Sequence, residues 1–125
     1  MIKPRTFAFL AALMVAASSA GAQELRDDRY PVTELASVMG ELHYFAFTCE
    51  SRNAQEWRRR MSELLELEAP TRGSYRDRLI RAFNDGFRQH ERRRTRCGAE
   101  AELEQQRLAR RGEALAEALR QEYIE

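Results

Sequence analysis

The chain has 125 residues, 43% of them hydrophobic and 33% charged, with 21 basic against 20 acidic residues and only two cysteines. That size suits one small domain with a modest core, and the near-neutral balance argues against nucleic acid as a partner. The most apolar run, Phe7 to Ala17, falls well short of the roughly 20 residues that cross a bilayer.

That run is flanked by Lys3 and Arg5 on one side and by the small residues "SSAGA" on the other. A positive start, a short apolar stretch and the A-x-A pattern Ala20-Gly21-Ala22 are the three parts of a secretory signal peptide, 1–22, with cleavage expected after Ala22. No cysteine follows the cleavage point, so no lipid anchor is expected, and the exported product belongs in the periplasm. Beyond it lie 125 − 22 = 103 residues whose basic side chains are all arginine. Charge is uneven along them: 2 Arg and 6 acids in 23–50, 13 Arg and 7 acids in 51–97, 4 Arg and 7 acids in 98–125. The segment 23–31, "QELRDDRYP", is polar and reads as loosely held.

From residue 32 to 125 the apolar period is helical throughout and indicates a single domain. Leu35, Val38, Leu42, Phe45 and Cys49 step by three and four, the seam of a helix over about 33–50. Asn53 then reads as an N-cap, with Glu56 completing a capping box, for a second helix over 54–68. Trp57, Met61 and Leu64 are its expected core anchors, with Trp57 largely buried. Ala69-Pro70 stops this helix, and Ser74 is expected to cap a third over 75–97, with Leu79, Phe83, Phe87, His90 and Cys97 on or near one face. Gly98 separates it from a long, charged fourth helix over 99–123, whose thinner stripe is Leu108, Gly112, Leu115, Leu119 and Tyr123. The predicted fold is therefore all-α: a small disulfide-stapled bundle of three core helices plus a long C-terminal helix.

Short turns make the first three helices run up, down, up, so the first and third are parallel. Cys49 and Cys97 then sit at one pole, where an oxidising compartment would pair them. A C-x-x-C redox motif is absent, and the sequence offers too few neighbouring ligands for a cysteine-based metal site. Gly40 and Gly86 interrupt helix interiors at comparable depths below the cysteines, which predicts a close approach of the two backbones there.

"GELHY" ahead of Cys49, "WRRRM" with Leu64 and Glu68 downstream, "RAFNDGF", and then Cys97 resemble the pattern of a family of small secreted proteins of Gram-negative, alphaproteobacterial type. That family is defined by two well-separated cysteines and has no established function. The resemblance covers nearly the whole exported chain and implies a disulfide and export, without implying an activity.

Chemistry-bearing constellations are few. His90-Glu91 begins like the zinc-protease helix H-E-x-x-H, but Arg94 stands where the second histidine must be. His43 and His90 precede the cysteines by six and seven residues, so a two-histidine metal or small-ligand site near Met39 is geometrically conceivable, although no third ligand is evident. No nucleophile motif and no catalytic residue is identified, and no cofactor is expected. Arg88, Arg92 and Arg96, with Arg93 and Arg94 beside them, form a basic row that could dock an anionic envelope component. The leading expectation is a non-catalytic periplasmic interaction module, an accessory in cell-envelope maintenance, whose partner is a protein or an anionic envelope component. Self-association through the C-terminal helix is a further option. The alternatives are a ligand- or metal-binding protein using His43 and His90 and, third, a small enzyme acting on envelope polymers.

Overall fold

The computed structural model describes residues 31–124. The expected signal peptide, its expected cleavage site and the segment 23–30 lie outside the described residues. Four helices follow in chain order: α1 (Val32–Cys49), α2 (Glu56–Glu68), α3 (Ser74–Arg93) and α4 (Ala99–Ile124), with one 3-10 turn, Ser51–Asn53, between the first two. The architecture is an all-α bundle with a Cys49–Cys97 disulfide. Among the described residues no strand occurs, and no helix is long and apolar enough to cross a membrane.

Helix α1 is the hub. Pro31 precedes it with φ −76°, suited to proline, and its carbonyl accepts from the Leu35 N–H at 2.9 Å. Its buried residues include Leu35, Val38 and Leu42 but also Ala36, Gly40, His43 and Tyr44, on faces that the 3-4 seam alone leaves open. A helix buried nearly all round must be surrounded, and α2, α3 and α4 each pack against it. Near their starts α1 and α3 share a core cluster, Val32, Leu35 and Ala36 with Leu79. Near their ends the His90 ring packs on Tyr44 and Phe45, with centroids 5.5 and 4.8 Å apart, so the two helices run in the same direction. Helix α4 returns antiparallel. Its Ala101 and Leu108 join the Tyr44–Phe45 cluster and its Leu119 joins the Val32 cluster. An ion pair from Arg111 to Glu34 ties α4 to α1 partway along.

The glycine positions explain how closely α1 and α3 lie. A Cβ added at Gly40 would stand 1.9 Å from the Phe83 carbonyl oxygen, and one at Gly86 would stand 2.2 Å from that of Ser37. Both obstacles are backbone, so no side-chain rotation relieves them. The absence of a side chain at both positions is what lets the helices touch.

Helix ends depart from the sequence expectation in three places. Asn53 is not an N-cap. The reversal after Cys49 is made by the 3-10 turn, which takes up Asn53 and delays α2 until Glu56, whose carboxylate accepts from Arg60 at 2.7 Å instead of closing a capping box. Ser74 is the first residue of α3 rather than its cap, and the cap position falls on Gly73. Helix α3 also ends at Arg93, four residues before Cys97, because Arg94 turns left-handed (φ 51°, ψ 46°). The Thr95 N–H then reaches back to the His90 carbonyl and the Arg94 N–H to that of Glu91, both at 3.1 Å, the paired bonds of a Schellman stop. Arg96 and Cys97 therefore lie on a non-helical linker, and Arg96 leaves the predicted i,i+4 row with Arg88 and Arg92. Gly98 (φ 140°) turns the chain into α4 with a conformation that L side chains rarely adopt. Arginine at a left-handed helix stop is a poor choice for the backbone. Arg94→Gly is expected to raise stability by up to about 1 kcal/mol. A urea midpoint that stays put or falls would show that the arginine side chain contributes more than its backbone costs.

Core placement is uneven. Leu42, Met61, Leu64, Leu79 and Phe83 are buried. Trp57 and Phe87, expected in the core, are half-buried. Trp57 lies where both core clusters meet the surface, with the Arg60 guanidinium 4.8 Å above its ring. Phe87 is packed edge-on against Tyr44 at the border of the α1–α3 contact. Of the predicted α4 stripe, Leu108 and Leu119 are buried and Gly112 and Leu115 partly so, while the side chain of Tyr123 lies outside the described set.

Candidate functional site

Two surfaces stand out, one at the disulfide pole and one along the bundle. At the pole the Cys49 and Cys97 Cα atoms are 5.7 Å apart, which anchors the linker 94–98 over the end of α1. Beneath it runs a polar chain. His90 Nε2 lies 2.9 Å from Glu41 Oε1, and because a carboxylate only accepts, that nitrogen carries the proton. His90 Nδ1 is then free to accept from the Thr95 hydroxyl at 3.2 Å, while the Tyr44 hydroxyl donates to the Thr95 carbonyl at 2.6 Å. A hydroxyl, an imidazole and a carboxylate in series could form a nucleophile relay. Here Thr95 is also fixed through both its N–H and its C=O at the helix stop, so the array braces the linker. Sequence reading missed it because Glu41 and Thr95 gain meaning only once α3 stops early.

Above this brace the surface is basic. Arg88, Arg92, Arg93, Arg94 and Arg96 are all exposed, and none is held in an ion pair with a described carboxylate. Arg94 and Arg96 border an open cavity of 740 Å³ whose far wall is the first turn of α4. Glu104, on that wall, accepts from Arg107 Nε at 2.9 Å, and this bond holds its carboxyl below the usual range. The Arg93 charge also acts on this carboxyl, and Glu100 lines the same cavity, so the two carboxylates offset part of the charge of the five arginines.

The two histidines occupy different surroundings. Both nitrogens of His90 are engaged as above. His43 is buried among Phe83, Phe87 and Phe47, with ring centroids 5.5, 5.2 and 6.1 Å away, and its Nδ1 has no hydrogen-bond partner among the described residues. Among the described residues no group of three or more His, Cys, Asp or Glu converges as a metal site requires. Burial pushes the His43 pKa down, and the nearby Arg58 charge adds to this. The unfolded chain therefore binds a proton at His43 more readily than the folded one, so stability is expected to fall as pH drops below about 6.5. Urea unfolding at pH 7.5 and 5.5 should show a smaller acid loss for His43→Phe than for the parent. Identical losses would remove His43 as the cause.

The second surface is a groove. Helices α2 and α4 both rest on α1 and leave between them a cleft of 570 Å³. Its floor is Leu35, Val38, Met39 and Leu42; Trp57, Leu64 and Leu67 form the α2 wall, and Ala109, Gly112 and Ala116 the α4 wall. Leu67 is 79% exposed at the lip. A cleft of this kind arises from how two helices sit on a third and cannot be read from any one helix's periodicity.

A family model described as "Protein of unknown function (DUF2385)" matches residues 29–123. No curated protein and no solved structure matches the chain.

Proposed function

The chain belongs to this family of unknown function, and from that premise we propose that it is a non-catalytic, periplasmic interaction module that docks an anionic component of the cell envelope at its disulfide pole. The observation that carries the reading is the group of five exposed arginines, Arg88, Arg92, Arg93, Arg94 and Arg96, without ion-pair partners among the described carboxylates, on a pole that the disulfide and the His90–Glu41 bond hold in shape. Guanidinium groups bind phosphate and carboxylate oxygens through paired N–H donors, so several on one rigid end favour a surface dense in such groups. Export through the signal peptide would place the pole opposite phospholipid headgroups, lipopolysaccharide phosphates or acidic proteins. The role in envelope maintenance follows from location alone.

The test is co-sedimentation with phosphatidylglycerol and phosphatidylcholine vesicles at low and raised salt. Each arginine near an anionic membrane contributes roughly 1 kcal/mol. Neutralising two, as in Arg92→Gln with Arg96→Gln, should weaken binding to the anionic vesicles by about thirtyfold. Salt should weaken it further. Equal binding to both vesicle types, or no effect of the double substitution, would count against the reading.

A further inference from the structure

We propose that the α2–α4 groove is a docking site for an amphipathic helix with basic flanks, supplied by a partner protein. It shares no residue with the arginine pole, so it adds a second contact surface to the module and stands or falls separately.

The observations begin with Gly112. A glycine in the interior of a 26-residue helix weakens it, and Gly40 and Gly86 show what justifies such a weakness elsewhere in this fold. Gly112 has no such cause: an added Cβ would meet only Val38 Cγ1, at 3.5 Å, an ordinary contact. The bare backbone instead faces the groove, between Ala109 and Ala116, and gives that wall room for another chain to come close. Opposite stand a half-buried Trp57 and the strongly exposed Leu67, the residue types that anchor helices in grooves.

Charge selects the occupant. Arg60 on the α2 lip is already held by Glu56 at 2.7 Å and lies over the Trp57 ring. Glu63 and Glu113, on opposite lips, have no ion-pair partner among the described residues. The rims are therefore net acidic around an apolar floor, which suits an apolar stripe bordered by lysine or arginine. A second copy docked by twofold symmetry would bring the same acidic lips together. The chain's own residues 23–30 carry Glu24, Asp27 and Asp28 against Arg26 and Arg29, the wrong sign. From Leu35 to Leu42 the floor extends about 10 Å, so two turns of the incoming helix would lie on it, with apolar residues at i, i+3 or i+4, and i+7.

The probe is a synthetic amphipathic helix of leucine and lysine about four turns long, with a matched peptide carrying glutamate in place of lysine. Each is titrated into the disulfide-bonded chain while the emission of Trp57, the only tryptophan, is followed. Saturable binding of the lysine peptide with a blue shift is expected, with the glutamate peptide at least tenfold weaker. Gly112→Leu, which fills the wall, should weaken the lysine peptide at least tenfold while the helical circular dichroism is kept. Should that variant fail to fold, Glu63→Lys with Glu113→Lys must reverse the preference between the peptides. Equal affinities for the two peptides, absence of binding, or binding untouched by a folded Gly112→Leu would overturn the proposal. So would a concentration-dependent dimer abolished by Gly112→Leu, which assigns the groove to a second copy.

Discussion

Gly86→Ala is expected to cost at least about 3 kcal/mol, at the top of the range for overpacking a core. The single methyl group would start 2.2 Å from the Ser37 carbonyl oxygen and 3.1 Å from the Glu41 nitrogen. Restoring contact near 3.4 Å requires one helix to retreat by more than 1 Å. Retreat separates everything that α1 and α3 share, including the fully buried Leu79 and the His90–Glu41 bond. Gly40→Ala meets the Phe83 backbone at 1.9 Å and should cost a similar amount. Gly112→Ala provides the contrast. Its methyl group meets only ordinary contact, so the gain in helix propensity should make it neutral or stabilising by up to about 1 kcal/mol. Urea midpoints of the three variants decide the matter. Equal, small effects at Gly86 and Gly112 would mean that the α1–α3 contact is looser than these distances state.

Much of this arrangement was legible because it rests on periodicity and on counting. Cys49 closes the apolar seam of α1 and Cys97 follows the end of α3 by four residues, and the depths of Gly40 and Gly86 below them put both glycines on facing stretches. The early end of α3 was not legible. Nothing in "HERRRTRC" favours a stop at Arg94, since arginine is neither a left-handed residue nor a helix breaker; the stop is set by tertiary partners, with the Tyr44 hydroxyl and the His90 ring both bonding Thr95. Asn53 shows the converse case, where a sound local capping signal yields to the geometry of a tight reversal after Cys49. The arginine pole was half legible. Its residues were identified, but as a helical row, whereas Arg94 and Arg96 reach the surface from a turn and a linker. The groove was not legible at all, although Gly112 offered a clue: a mid-helix glycine with no partner glycine at a matching depth.

Loss of the disulfide is expected to be the other severe change. Cys49 and Cys97 are 48 residues apart in sequence, and closing a loop of that size in the unfolded chain gives about 4 kcal/mol in the chain-entropy model. For a domain of this size that is a large share of the total, so Cys49→Ser or Cys97→Ser should lower stability by roughly 2–5 kcal/mol. Unfolding temperature should fall by about 10–30 °C, at several degrees per kcal/mol. The loss should also be uneven. Below the pole, α1 and α3 keep the glycine contact and the Leu79 cluster, whereas the linker is left with a few hydrogen bonds, those of Thr95 to Tyr44 and His90 and of Arg94 to Glu91 among them. Amide exchange in the serine variants should therefore rise first across residues 94–104, where the linker meets α4, and last around Leu42 and Phe83. Thiol labelling of the denatured, unreduced protein should find no free cysteine. Two labelled thiols, or serine variants within about 0.5 kcal/mol of the parent, would show that the helix contacts alone hold the pole and that the bond is not what fixes the arginines in place.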